Sequence, residues 1–138
     1  MNGVVLVLLA LLLSGCYGSG IYPVEGRVNW RDGTPATDLA GSNITFENAE
    51  KKTSSQGRIQ ADGSFRLTTL EDNDGAPDGE HTVLIMEVGR KSAGGEDPTL
   101  MAPGKVDTKY LTPATSDLRA KVTTGANTIT LTIDRAPP

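Results

Sequence analysis

Thr128-Ile129-Thr130-Leu131-Thr132-Ile133 is the stretch that decides the fold. Threonine alternates with an aliphatic residue at every second position, which is the period of a β-strand with one dry and one wet face. A second stretch has the same period, because Val24, Gly26, Val28 and Trp30 alternate with polar residues. β-Branched side chains also favour the pleated surface of a sheet. The sequence therefore predicts strands, and it contains no convincing helix pattern.

Turn signals separate the strand patterns at short intervals. Asp32-Gly33 and Asp62-Gly63 are strong tight-turn signals, since both residue types tolerate positive φ. Shorter apolar patterns predict further strands at residues 43–47, 58–60, 64–68, 81–88 and 118–123. About seven short strands separated by turns predict an all-β fold, namely a seven-stranded β-sandwich of two antiparallel sheets.

Three segments between these turns give more specific expectations. Residues 50–56 are polar and charged, and residues 89–105 are rich in Gly with two prolines, so both are predicted to be surface loops. Residues 83–86 are apolar without alternation, which predicts a central strand buried on both faces.

An uncharged apolar run at residues 4–13 precedes the first strand and leads into Leu13-Ser14-Gly15-Cys16. A run of about ten residues is too short to span a bilayer, which takes about 20. Its end in small residues is typical of a secretory signal. Leu13, Ser14 and Gly15 before Cys16, the only cysteine of the chain, resemble the lipobox of bacterial lipoproteins. The resemblance implies that Cys16 carries diacylglycerol and that the chain is cut just before it.

This signal predicts how the chain is organised and where it is located. Residues 1–15 are expected to be a lipoprotein signal peptide, residues 16–21 a lipidated tether rich in Gly and Ser, and residues 22–138 one β-sandwich domain. The expected location is the bacterial cell envelope, with the domain held on a membrane by the lipid on Cys16 and facing the periplasm or the exterior.

A family resemblance covers residues 22–134. The chain resembles carboxypeptidase regulatory-like domains, most closely the small lipoprotein form found in planctomycete bacteria. The motifs that carry the resemblance are Val24-Glu25-Gly26-Arg27-Val28, Asp32-Gly33-Thr34-Pro35, Ile44-Thr45-Phe46, Ala61-Asp62-Gly63-Ser64-Phe65-Arg66-Leu67 and Gly75-Ala76-Pro77-Asp78-Gly79-Glu80-His81-Thr82-Val83. The resemblance implies a transthyretin-like sandwich, generally without catalytic residues.

Composition and the scarcity of reactive side chains limit the functions to consider. The net charge of −4 and the lack of a basic stretch argue against nucleic-acid binding. His81 is the only histidine, and we expect it to be exposed at the end of a strand. One histidine and a cysteine used for lipidation leave no metal site of the zinc type and no nucleophile–base pair, so no catalytic, cofactor or metal residue is assigned.

Two weaker features of the sequence could serve as binding sites. The acidic residues at 71–80 lack the spacing of an EF-hand, and a solvated loop is preferred to a calcium site. Trp30, Tyr22 and Tyr110 could form a sugar-stacking platform, but alternation places Trp30 on the core face.

The sequence thus predicts a non-enzymatic, membrane-anchored envelope module. Its role is expected to be structural or the binding of an envelope protein, through a free strand edge. A carbohydrate-binding module and a hydrolase are the alternatives, and the hydrolase lacks the residues it needs. No oligomeric state follows from the sequence.

Overall fold

A computed structural model describes residues 20–88 and 104–138, together with the backbone of residues 92–94 and 97–101. This part of the chain forms strands joined by turns, with two short 3₁₀ turns at Thr37–Leu39 and Thr108–Leu111. Its strands are β1 (Ile21–Tyr22), β2 (Val24–Trp30), β3 (Asn43–Asn48), β4 (Thr53–Arg58), β5 (Ser64–Arg66), β6 (Ala76–Pro77), β7 (Gly79–Met86), β8 (Ser92–Gly94), β9 (Asp97–Met101), β10 (Arg119–Val122) and β11 (Asn127–Ile133).

Two sheets build the body of the domain. One has four strands in the order β10-β7-β3-β4, and the other has three in the order β11-β2-β5. The remaining short strands form two separate pairs, β1 with β6 and β8 with β9. The all-β sandwich predicted from the sequence is confirmed.

One strand pair departs from the predicted antiparallel arrangement. β11 runs parallel to β2, from Asn127 opposite Val24 to Ile133 opposite Trp30. Alternation in a sequence shows which face of a strand is buried, but it does not show the direction of its neighbour. Parallel pairing requires a long connection, and here almost the whole domain lies between the two strands.

The core lies between the inner faces of the two sheets. β2 and β3 bury every second residue, including Val28, Trp30, Ile44 and Phe46. Phe46 of the larger sheet contacts Phe65 of the smaller one, with ring centroids 5.9 Å apart. Burying such apolar surface is the main favourable contribution to folding, at roughly 25 cal/mol per Å².

Both predicted Asp-Gly turns are confirmed, and they are closed in the same way. The Asp62 carboxylate accepts hydrogen bonds from the Ser64 N–H at 2.9 Å and hydroxyl at 2.5 Å. The Asp32 carboxylate accepts the same pair of bonds from Thr34, at 2.9 and 2.6 Å. The hydroxyl bonds hold the pKa of each aspartate below its ordinary value.

The two sides of the sandwich differ. On one side the sheets are joined, because Gln56 and Thr68 exchange backbone hydrogen bonds of 2.9 and 2.8 Å. On the other side each sheet ends at an edge strand, β10 in one and β11 in the other. We call these the closed seam and the open seam.

The polar segment 50–56 is not entirely the loop that the sequence predicted. Its residues from Thr53 onward belong to β4, which pairs with β3 along all of its length. The prediction was wrong because only Ser55 of this strand is buried, so the strand has no apolar pattern to detect.

The apolar segment 83–86 lies in β7, which is central in its sheet, as expected. It is not buried on both faces, however. Val83 and Ile85 are buried, Leu84 is half-buried and Met86 is 59% exposed. Leu84 and Met86 alternate with these buried residues, so the other face of β7 remains partly in solvent.

Residues 89–105 also differ from the predicted loop. They contain β8 and β9, which pair antiparallel with Ser92 opposite Met101 and Gly94 opposite Asp97. The rest of the predicted loop, apart from residues 104–105, lies outside the described residues.

Candidate functional site

The residues predicted to carry the lipid lie outside the described residues. Leu13, Ser14, Gly15 and Cys16 precede Gly20, where the description begins. Ile21, the last residue of the predicted tether, already belongs to β1 and lies opposite Pro77. From Gly20 onward, the described residues include no helix with the length and hydropathy needed to cross a bilayer.

His81 is buried, and the expectation of an exposed histidine at a strand end was wrong. It lies on the inner face of β7, where it is 0% exposed and its ring contacts Phe46 with centroids 5.7 Å apart. Its Nε2 is 2.8 Å from the carbonyl oxygen of Pro77, and its Nδ1 has no hydrogen-bond partner. The imidazole therefore contacts a carbonyl and a ring rather than a nucleophile.

The aromatic residues do not form an exposed platform. Trp30 and Tyr110 are each 1% exposed, and Tyr22 is half-buried against the core. Trp30 Nε1 donates to the Asp38 carboxylate at 2.9 Å, and the Arg135 guanidinium lies 3.9 Å from the centre of its ring. The core position expected for Trp30 is confirmed.

The acidic residues at 71–80 mainly stabilise the loop itself. Asp74 accepts hydrogen bonds from the backbone N–H groups of Thr69, Leu70 and Glu71, at 2.7 to 3.0 Å. Burial acts to raise the pKa of Asp74, but these bonds outweigh it and the pKa is lowered. Within residues 20–88 and 104–138, no group of three His, Cys, Asp or Glu side chains is arranged to hold a metal ion.

The outer edge of β11 is the first candidate binding site. The Asn127 N–H donates to the Pro23 carbonyl at 2.9 Å, so the odd-numbered residues of β11 direct their backbone groups toward β2. The backbone groups of Thr128, Thr130 and Thr132 therefore point away from the sheet. No described segment pairs with them.

The same edge is already paired further along. Beyond β11, the Asp107 N–H donates to the Asp134 carbonyl at 3.2 Å and the Ala136 N–H donates to the Lys105 carbonyl at 2.8 Å. Val106 and Arg135 form the antiparallel bridge between these bonds. The covering segment then leaves the edge, because a 3₁₀ turn begins at Thr108. An extended segment could continue this pairing along β11.

β11 also lacks the features that usually block an exposed edge. Its seven residues include no charged residue and no proline, and its register with β2 is continuous. Natural edge strands are commonly protected by lysines, prolines or bulges. An edge without them is suited to the addition of a strand from another chain.

A polar groove lies on the outer face of the smaller sheet, beside this edge. It has a volume of about 610 Å³. Register across the sheet places Thr130 beside Arg27 and Arg27 beside Ser64, while Thr128 lies beside Glu25. The outward residues of β11, β2 and β5 thus form a continuous surface of hydroxyl and charged groups. Residues of β4 in the larger sheet and of two turns complete the groove, whose side chains include Arg27, Arg58, Arg66, Glu25, Asp62 and Asn73.

A charged cluster closes the end of the sandwich where β2 and β11 finish. The Asp134 carboxylate accepts hydrogen bonds from Arg31, with an Nη2–Oδ2 distance of 3.0 Å, and from Lys109 at 2.8 Å. The Tyr110 hydroxyl donates to Asp134 at 3.2 Å. The bonds from Arg31 and Lys109 lower the pKa of Asp134, and the bond to Asp134 raises the pKa of Lys109. This cluster is fully paired and serves to join the ends of strands.

The sequence predicted a free strand edge without saying which strand provides it, and it did not predict the groove. The threonine alternation at 128–132 predicted the strand itself, and the strand order places that strand at an edge. Arg27, Arg58 and Arg66 belong to three strands of two sheets, and only the way the sheets join at the closed seam brings them onto one surface. No protein-family model matches the chain, and no curated protein and no solved structure is significantly similar to it.

Proposed function

We propose that this chain is a bacterial envelope lipoprotein whose non-catalytic β-sandwich binds a partner protein by strand addition at β11. The observation that carries the proposal is the open, uncharged outer edge of β11. The resemblance of residues 22–134 to carboxypeptidase regulatory-like domains supports it, because that family implies a module without catalytic residues.

The position of the predicted anchor supports display of this edge. β1 lies beside Pro23 at the start of β2, so the chain leaves the predicted tether at one end of the sandwich. β2 and β11 run side by side from that end to the charged cluster at the other. A lipid on Cys16 would hold the first end near the membrane and leave the length of β11 accessible.

The anchor is tested by fractionating cells that produce the tagged full-length chain. Wild type is expected in the membrane fraction and released by detergent but not by salt, since two or three acyl chains contribute about 0.8 kcal/mol per buried CH₂. Cys16→Ala is expected to leave the membrane fraction or to remain uncleaved. Membrane retention of a correctly cleaved Cys16→Ala chain would contradict lipid anchoring.

Strand addition is tested by cross-linking in cells, with mass spectrometry of the adducts. Thr130→Pro removes an outward N–H at the middle of the edge, whereas proline is tolerated in an edge strand. Thr130→Val is the matched control, because it keeps the N–H and the β-propensity. We expect one dominant partner that is retained in Thr130→Val and lost in Thr130→Pro. Equal cross-linking of the two variants would contradict binding at this edge.

A further inference from the structure

Most described arginines have a clear structural partner. Arg31 binds Asp134, Arg66 lies 3.6 Å from Glu25, and Arg135 binds Asp38 at 3.3 Å. Arg119 donates to the Ser116 carbonyl at 2.8 Å. These guanidinium groups hold strands and turns together, so their positions are explained by the fold.

Arg27 and Arg58 are different. Both side chains are exposed, and within the described residues neither guanidinium group makes a hydrogen bond or a close ion pair, although Arg27 is near enough to Asp62 to help lower the pKa of that carboxyl. Both line the polar groove on the smaller sheet, together with Arg66. The chain has a net charge of −4, yet these two guanidinium groups of the described residues lie on one surface.

The groove also shows what kind of ligand it suits. Its accessible lining is more polar than apolar, with hydroxyl and amide groups such as those of Thr128, Thr130, Gln60 and Asn73. It also includes two carboxylates, those of Glu25 and Asp62. The strongly exposed apolar side chains of the described residues, Leu70, Met86 and Val88, are not among the lining residues, and Phe65 is 1% exposed. Protein interfaces are usually centred on apolar or aromatic anchors, which this lining does not offer.

We infer that this groove binds an anionic polysaccharide, with Arg27 and Arg58 contacting its carboxylate or sulfate groups. Guanidinium is planar and matches such anions with two parallel hydrogen bonds. Hydroxyl and amide groups of the lining complement sugar hydroxyls, and exposed aromatic rings, which would favour neutral sugars by stacking, are absent from the lining. This inference concerns a different surface from the backbone edge of β11 and stands without strand addition.

The test measures the binding of fluorescently labelled polygalacturonate to the full-length chain in a nonionic detergent, by fluorescence anisotropy. Arg27→Gln/Arg58→Gln removes the two unpaired charges. Lys52→Gln/Lys121→Gln removes two exposed charges that lie outside the groove. Unchanged denaturation midpoints of both double variants show that each is folded.

We expect wild type to bind polygalacturonate and to lose affinity as salt is added. The groove variant is expected to bind at least about tenfold more weakly, and the control variant to stay within about twofold of wild type. Three results would overturn the inference: no binding by wild type, equal losses in the two double variants, or competition by dextran or polyglutamate as strong as by unlabelled polygalacturonate. The last result with polyglutamate would point to an acidic peptide instead.

Discussion

Trp30, at the end of β2, contacts both the 3₁₀ turn that contains Asp38 and the segment after β11 that contains Arg135. Its ring is buried, its indole N–H binds Asp38, and Arg135 covers one face of the ring. We expect Trp30→Ala to lower the free energy of unfolding by about 3–5 kcal/mol, because it leaves a large cavity in the core. Chemical denaturation of the full-length chain in detergent measures this loss.

The matched variant Trp30→Phe separates the ring from the hydrogen bond. It keeps an aromatic ring and most of the apolar volume but removes the donor to Asp38, so a smaller loss of about 1–2 kcal/mol is expected. If Trp30→Ala unfolds at the same denaturant concentration as wild type, Trp30 is not a core residue. That result would favour the alternative in which its ring belongs to a sugar-stacking platform.

Asp134 makes the stability of the charged cluster depend on pH. Its pKa is lowered in the folded chain by bonds from Arg31 and Lys109, so the unfolded chain takes up this proton first as the pH falls. The stabilisation is therefore complete above the unfolded pKa of about 3.9 and is lost as the pH falls below it.

The corresponding prediction compares Asp134→Asn with wild type. Asp134→Asn should be less stable than wild type at pH 7, and the difference should shrink between about pH 4 and pH 2. Urea denaturation across this range, in the same detergent, measures it. A stability difference that grows on acidification would contradict the assigned ion pairs.

At the scale of elements, the pairing of β1 with β6 depends on a close backbone approach. Gly75 has φ +106°, and a Cβ at this position would lie 1.7 Å from the Tyr22 carbonyl oxygen. Gly33 has φ +89°, but a Cβ there would meet no atom within 4 Å. The two positions share the strained backbone conformation and differ in the space around it.

Alanine at these glycines should therefore have unequal effects. Gly33→Ala is expected to cost about 1–2 kcal/mol, from the backbone conformation alone. Gly75→Ala should cost about 3 kcal/mol or more, since the backbone of Tyr22 must move as well. Thermal or urea denaturation compares the two variants. Equal losses would show that β1 is not held against the Gly75 turn.

The sequence predicted those elements whose burial follows the period of a strand. Apolar alternation or short apolar patterns predicted β2, β3, β5, β10 and β11. The residue types Asp and Gly predicted the two tight turns. β4 was missed because a polar edge strand is specified by its neighbour β3 rather than by its own side chains. The parallel direction of β11 was also missed, since direction is set by the path of the whole chain.

The candidate sites were predictable to different degrees for the same reason. The strand β11 is encoded locally, in uncharged residues that alternate between threonine and aliphatic side chains, whereas its position at a sheet edge is set by the strand order. The groove is not encoded locally, because Arg27 lies in β2 and Arg58 at the end of β4, and β3 separates these two strands in the sequence. The burial of His81 likewise depends on strand pairing, because β7 and its neighbours place the side chain of His81 on the inner face of the sheet.

At the scale of the whole molecule, the difference between the closed and the open seam is the basis of the proposed function. The closed seam uses the backbone groups of Gln56 and Thr68 within the chain. The open seam leaves those of Thr128, Thr130 and Thr132 without a partner in the described part of the chain. Such edges invite pairing with another chain, which a binding module exploits.

Amide hydrogen exchange of the full-length chain in detergent, resolved by residue with NMR, tests this account most directly. The N–H groups of Thr128, Thr130 and Thr132 should exchange quickly, while those of Ile129 and Leu131 in the same strand, and of Gln56 and Thr68 at the closed seam, should be protected. An alternating pattern along β11 is the predicted result. Uniform protection of residues 128–132 would show that this edge is already covered and would contradict binding by strand addition.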